Sequence, residues 1–599
     1  MGFIASINRD VATSFVGQRF RLDGSGHPKA RKDARFLTEI RAGMATFFAM
    51  AYIISVNANI LTASGGTCGA CVLPEDGTPY DCLSQPEYSL CLSRMTRDYI
   101  TATAAIASLA SFSMGLFANM PVALAPGMGV NAYFSYTVVG PYGFGPVRYQ
   151  LALTAIFIEG FIFFALSILG LRQWLARLIP ASIKLGAGVG IGLYLTIIGF
   201  TYSAGIGAIT GASATPLELA GCSPADLDVN GVCPTSTKMR SPTLWLGVFC
   251  GGFLTAILLI YKARGALIAG ILLVSIISWP RDTSVTFFPR TPVGDANFNF
   301  FKKVVTFHPI GETLGVNEWN LSGASAQFTL AMITFLYVDV MDATATLYSM
   351  ARFAGAIDED TQDFEGSAIA YLVDALSISV GSLFGLSPVT AFIESGAGIS
   401  EGGKTGLTAM TTGICFFISI FFAPIFASFP PWATGCTLII VGAMMASTAK
   451  DINWKYPGDS IPAFVTLATM PFTYNIAYGL IAGLVSYTIL NMTVLLVETV
   501  SGGRFVPPDK ALKEPWTWKV KGGVIPGWLV RLFKGKKDFW RSYEDTANRN
   551  APPLDSPRPS DTSSVKASRH AYNQNKEVHI TSSPGASDTS DIERVAKSA

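Results

Sequence analysis

The feature that most constrains this chain is the recurrence of apolar runs as long as a bilayer is thick. A helix needs about 20 predominantly apolar residues to cross the hydrocarbon core. The first half of the sequence offers Phe36 to Ala63, Ile100 to Ala118, Val122 to Val138, Tyr149 to Gly170, Ile183 to Tyr202, Leu244 to Tyr261 and Gly265 to Ser278. The second half offers Phe328 to Tyr348, Ile369 to Leu386, Val389 to Gly398, Leu407 to Ala427, Ala433 to Ala449, Ile461 to Phe472 and Tyr474 to Leu496. About fourteen spans, seven in each half, are therefore expected. Only 14% of the residues are charged, against about 25% in soluble proteins, so the chain reads as an all-α polytopic membrane protein. Its net charge of +2 lies in tails and loops and supports no nucleic-acid partner.

Two of these spans are short and punctuated. Pro121-Val122-Ala123 precedes Gly129 by the interval that separates Pro388-Val389-Thr390 from Gly396, and Thr46-Phe47 is echoed by Thr334-Phe335. Paired interruptions in corresponding positions point to broken helices meeting at the midplane of a transporter, and seven spans per half would invert the repeats. The basic N-tail shows no cleavable signal, and Arg172, Arg177, Lys184, Lys262, Arg264, Lys450 and Lys455 fall in alternate connections on its side. Both termini are expected in the cytoplasm. Gly186, Gly188, Gly190 and Gly192 provide small-residue pairs for close helix packing.

Two acids interrupt the run Tyr337 to Leu347. An aspartate at the centre of a membrane helix costs about 2.5 to 3.5 kcal/mol on insertion scales, so it persists where it meets a polar cavity or a partner. Asp339 and Asp342 are three residues apart, which predicts one helical face, with Ala343 and Thr346, lining a pathway. The spans also hold Glu39, Glu159, Asp374 and Glu394, but their only basic residues, Arg41 and Lys184, lie near ends. Buried ion pairs do not explain these acids. The four histidines are in tails or loops, so a proton relay would use carboxyls, with Asp339 and Asp342 the candidate pair.

In the broken spans, Pro126-Gly127-Met128-Gly129-Val130-Asn131 sets a neutral amide inside one half-helix. Phe392-Ile393-Glu394-Ser395-Gly396 sets a carboxylate at the matching place in the other. Half-helix N-termini carry free N–H groups and partial positive charge. A carboxylate already there favours a neutral or cationic substrate over an anion. Gly398 to Thr405 matches the Walker A pattern letter for letter, but it joins two apolar spans and lacks the preceding strand and soluble α/β context that a phosphate loop needs.

Cys68, Cys71, Cys82 and Cys91 fall in the first outward loop, and Cys222 and Cys233 in another, so disulfides are expected. A zinc site lacks a second Cys-x-x-Cys or a nearby His. Asn320-Leu321-Ser322 is a glycosylation sequon on the outward side. After Leu496 a basic stretch bearing Trp516, Trp518, Trp528 and Trp540 is expected on the inner membrane surface, touching lipid. Beyond about residue 548 the composition predicts disorder.

Four motifs carry a family resemblance. Glu39-Ile40-Arg41-Ala42-Gly43-Met44-Ala45-Thr46-Phe47, Ala123 to Phe134, Val338-Asp339-Val340-Met341-Asp342 and Ile393-Glu394-Ser395-Gly396-Ala397-Gly398-Ile399 resemble the AzgA-type purine permeases over Phe36 to Leu496. The tails and Cys-bearing loops resemble the fungal branch. The resemblance implies proton-coupled uptake of adenine, guanine and hypoxanthine across the plasma membrane, on the fourteen-helix fold shared with uracil and nucleobase-ascorbate transporters. It divides the chain into an N-tail (1–35), core helices (36–170), gate helices (171–279) and an extracellular loop (280–327). The second half follows with core (328–427), gate (428–498) and C-tail (499–599). Asn131, Asp339 and Glu394, with Phe392 in the same motif, are the implied substrate contacts, and Asp342 with Asp339 the implied proton carriers. No metal and no cofactor beyond the proton as coupling ion is implied, and a homodimer is a candidate assembly. Three rival classes are weaker. An anion exchanger of this fold would not be expected to place Glu394 at the half-helix. An intramembrane aspartyl protease needs a Gly-x-Gly-Asp element, of which Tyr456-Pro457-Gly458-Asp459 lacks the first glycine. A receptor without transport would be exposed by a purine uptake assay.

Overall fold

The computed structural model describes residues 2–68, 82, 85–169, 179–202, 205–211, 217–223, 226–227, 232–263, 265–321, 326–356 and 366–514. Cys71, Ser322, the Trp-bearing stretch and the tail beyond about 548 lie outside these residues, as does the separate unit Trp528–Ala599.

Among the described residues, nine helices are long and apolar enough to cross a membrane, from Phe36–Cys68 to Ile476–Val500, and Ala266–Ser278 and Ser367–Leu383 are shorter apolar helices. Two of the nine, Pro242–Ile260 and Ile476–Val500, bury only 22% of their most apolar window. They present Phe249, Phe253, Ile260, Leu496 and Val500 outward, as a surface solvated by lipid does. The chain is a multi-pass membrane protein of helical fold.

The two punctuated spans form the centre. Each begins as a strand of three residues, β1 (Leu124–Pro126) and β4 (Val389–Ala391), paired antiparallel. The small hairpin β2 (Ile209–Thr210) with β3 (Glu218–Leu219) lies elsewhere. The preceding helices end at Ala118 and Leu383, with Asn119 at φ 51° and Gly385 at φ 80° turning the chain away, and Pro121 and Pro388, which have no N–H to give, keep it from resuming a helix. The strands then serve each other: Gly127 N donates to Pro388 O at 2.9 Å and Phe392 N to Ala123 O at 3.1 Å. Ser111 Oγ braces β1 by bonding both Leu124 N and Leu124 O at 3.0 Å. Every backbone group in a membrane interior needs such a partner. Pro121 and Pro388 are 267 residues apart, and so are Leu124 and Ala391, which face each other in the ladder. A residue that pairs with its own repeat equivalent lies beside a two-fold axis, so the halves are inverted about the strand pair. From the strands, Met128–Tyr133, prolonged by a π-helical turn Phe134–Val138, and Ser395–Ser400 lead away.

The glycine series packs helices as its spacing predicts. A Cβ on Gly186 would meet Ala463 O, on Gly190 the Leu467 backbone, and on Gly192 Gly442 O. Ala181–Phe200 therefore lies tight against Pro457–Thr473 on one side and Pro431–Ala446 on the other. Residues 1–35 hold more structure than a polar tail suggests. Arg19, in the second of the helices Gly2–Thr13 and Phe15–Phe20, donates to Leu116 O at 2.7 Å, and Arg31, in the segment that follows, donates to Asn119 O at 3.1 Å and to Lys404 O.

Candidate functional site

Where the strands cross, a cavity of about 220 Å³ opens between the two broken segments and the helices Ala181–Phe200, Ala326–Phe353 and Pro431–Ala446. Glu394 and Asp342 are its acidic wall, Gly127 to Val130 the facing segment, and Phe392, Tyr337 and Met341 part of its apolar lining. A wider cavity of about 650 Å³, with Tyr136, Tyr142, Tyr202 and Phe472, lies toward the disulfide-bearing loop. Tyr474, at φ 55°, lines that outer cavity, packing edge-on against Tyr136 and Tyr194 with ring centroids 6.0 and 5.1 Å apart. Two residues on, Ile476 lines the central cavity.

Glu394 stands at the head of Ser395–Ser400, yet its side chain makes no capping bond there. Instead Tyr52 Oη donates to Glu394 Oε1 at 2.8 Å, while Oε2 is buried with no hydrogen-bond partner. A buried acceptor left unmade costs about 1 to 3 kcal/mol, so this carboxylate is oriented and short of a donor. Asp342 is better served. Thr346 Oγ1 donates to its Oδ1 at 3.2 Å, and Thr390, from β4, bonds it as well.

Two expected contacts are not on the cavity. Asp339 is fully buried and points to Glu159 and Asp374, on Tyr149–Leu169 and Ser367–Leu383. The expectation of one face for both aspartates is corrected here: residues three apart differ by about 60° around a helix, and a second packed neighbour at that angle separates them. Asn131 is also fully buried, and its Nδ2 donates to Asn57 Oδ1 at 2.6 Å and Asn57 O at 3.3 Å. Asn57 Nδ2 in turn donates to Thr103 Oγ1 at 2.8 Å. Asn131 therefore ties its half-helix to the helix behind, and its Oδ1 has no partner. Phe392 and Glu394 do line the cavity. Tyr52, Thr390 and Asn57 were absent from the sequence-derived set. Tyr52 is 342 positions from Glu394, and no local pattern announces such a bond.

The Walker-like loop is occupied by the protein itself. Lys404 N and Thr405 N donate to the two carboxylate oxygens of Glu39 at 3.0 Å each, and Thr408 Oγ1 adds a bond of 2.6 Å. In the loops expected to face outward, Cys68–Cys91 and Cys222–Cys233 are disulfides with Cα atoms 6.1 and 5.9 Å apart, and Cys82 is also disulfide-bonded. Asn320 is exposed. Asp98, on Pro86–Ser113, holds the 302–318 segment through His308 Nε2 at 2.8 Å and the amides of Gly311 and Glu312 at 2.9 and 2.6 Å.

Inverted broken segments around a cavity with an under-bonded carboxylate define a membrane transporter. The family profile Xan_ur_permease, described as "Permease family", matches residues 88–482, and the chain belongs to that family of nucleobase permeases. It is a transporter rather than an enzyme. The Aspergillus versicolor protein named efflux pump notK' is 62% identical over 91% of this chain and 94% of its own. Adenine permease AdeQ of Escherichia coli and guanine/hypoxanthine permease PbuO of Bacillus subtilis are each 32% identical over 76% of this chain, covering 87% and 90% of their own.

Proposed function

We propose that the chain is a proton symporter importing adenine, guanine and hypoxanthine across the plasma membrane by alternating access, with both termini cytoplasmic. The observation that carries this reading is Glu394, fixed by Tyr52 and presenting a buried, unpartnered Oε2 to the cavity. A cavity of about 150 Å³ accommodates benzene, so about 220 Å³ suits a bicyclic base. Guanine and hypoxanthine carry an N1–H that adenine lacks, whereas all three carry an imidazole N–H. A single carboxylate serving all three is most simply matched to the imidazole edge through a charge-assisted bond. Phe392 supplies apolar surface beside it. The purine names of the two bacterial relatives support this substrate class.

The cavity draws its walls from both expected modules. Gly127 to Val130, Asp342 and Thr390 to Glu394 belong to the core, and Lys184, Ile191, Val441 and Ile476 to the gate. That placement supports a rocking of one module against the other around the base. A second reading, net export, is favoured by the 62% identity to a protein named an efflux pump. Uptake of radiolabelled hypoxanthine by purine-transport-null cells, with and without a proton gradient, decides between them. Gradient-dependent accumulation supports import; loss from preloaded cells without uptake supports export.

A further inference from the structure

Behind the cavity, three acids from three helices converge. Glu159 on Tyr149–Leu169, Asp339 on Ala326–Phe353 and Asp374 on Ser367–Leu383 are each fully buried. Gly160 allows the approach, since a Cβ there would meet Ala375 O and Ser379 Oγ on the opposing helix, and Ser379 Oγ donates to Phe157 O at 3.1 Å across the same contact. The carboxyls of Glu159 and Asp339 lie within hydrogen-bonding reach of each other. All four of their oxygens are buried, and none receives a bond from a protein donor. The charged groups that bear on the pair are Asp374 and, one turn along from Asp339, Asp342; all are acids. Among the described residues no Lys, Arg or His bears on Glu159 or Asp339.

Two ionised carboxylates in contact repel strongly in a low-dielectric interior, and neither can donate to the other. A proton between them converts two acceptors into a donor and an acceptor. We propose that Glu159, Asp339 and Asp374 form the site that carries the coupling proton, separate from the cavity in which Glu394 reads the base. The proton arrives from water as the O–H of a carboxylic acid and leaves to water, with no other bond made or broken. Asp342 stands between the two sites, lining the cavity on one side and one turn from Asp339 on the other. It is the route by which binding of the base and occupancy of the proton site affect each other. The inference rests on the transport reading and deepens it, assigning Asp339 to the proton alone and giving it Glu159 and Asp374 as partners in place of Asp342.

The test uses the purified full chain in proteoliposomes and tritiated hypoxanthine. Concentrative uptake under an inward proton gradient is compared with exchange of labelled for unlabelled base without a gradient. Glu159→Gln and Asp374→Asn, which keep size and remove the titratable group, are expected to lower the ratio of concentrative uptake to exchange by on the order of tenfold. A wild-type ratio in both variants overturns the assignment. Uptake by the wild type that follows a sodium gradient and ignores the proton gradient would make the cluster a cation site and overturn it equally. Should neither variant fold, a pH dye in weakly buffered wild-type protein reports protons exchanged on adding hypoxanthine, and none exchanged overturns the proposal. A wild type that moves no base in either mode fails the purine reading itself, a result distinct from uptake without coupling.

Discussion

Glu39 and Glu394 stand at opposite ends of the same short helix, Ser395–Ser400, and do opposite things. Glu39 is fully buried and accepts three bonds from Lys404 N, Thr405 N and Thr408 Oγ1, closing the turn that follows the helix. Glu394 precedes the helix, accepts one side-chain bond, from Tyr52, and leaves Oε2 buried and bare. Arg41 lies 3.4 Å from Glu401 beside the first end, whereas the second end opens on the cavity that Lys184 also lines. A buried carboxylate surrounded by donors is a fastener; one short of a donor waits for a ligand. Donor supply separates these two residues, and so does access: Glu39 is sealed in the protein, whereas Glu394 is half-buried on the cavity wall.

The sharpest way to break the comparison is Glu39→Ala. A buried donor left unpaired costs about 1 to 3 kcal/mol, and the change strands two loop amides, Lys404 N and Thr405 N, together with the Thr408 hydroxyl. Surface abundance and melting temperature should collapse; a variant at wild-type abundance with impaired binding would make Glu39 part of the site. Next in size is combined replacement of Cys68, Cys71, Cys82 and Cys91. Loss of a disulfide costs about 2 to 5 kcal/mol in small secreted domains, so lower surface abundance is expected with unaltered affinity in what reaches the surface. Labelling of all four as free thiols in surface protein would sink this.

Glu394→Gln should leave abundance intact and weaken adenine, guanine and hypoxanthine together by about 1.5 to 3 kcal/mol, or roughly ten- to a hundredfold. Nucleosides, blocked at N9, should compete poorly with the wild type. Selective loss of guanine and hypoxanthine would place Glu394 against N1–H instead. The smallest effect sharpens the picture most. Tyr52→Phe deletes one hydroxyl worth about 0.5 to 1.5 kcal/mol, so the concentration for half-maximal uptake should rise roughly two- to tenfold, with abundance unchanged. A fall in abundance with unchanged affinity would make Tyr52 another fastener.

Several of these features were legible without coordinates. Apolar run length places helices in a membrane because lipid offers the backbone no partners. Pro121 and Pro388 mark the broken spans because proline cannot continue a helix, and Cys68, Cys91, Cys222 and Cys233 could be read as disulfides from their clustering in two loops expected to face outward. Acids in apolar spans announced a site because solvating a buried charge is too costly to be incidental. Which donors each acid meets was decided only by tertiary packing. Helical spacing put Asp339 and Asp342 about 60° apart, but only the neighbours show that one angle opens on the cavity and the other on Glu159 and Asp374. Likewise Asn131 turns to Asn57 and Tyr52 reaches Glu394 through bonds spanning 74 and 342 positions. Such partners are brought together by helices packing against each other, and sequence periodicity records the direction of a side chain but not what stands there.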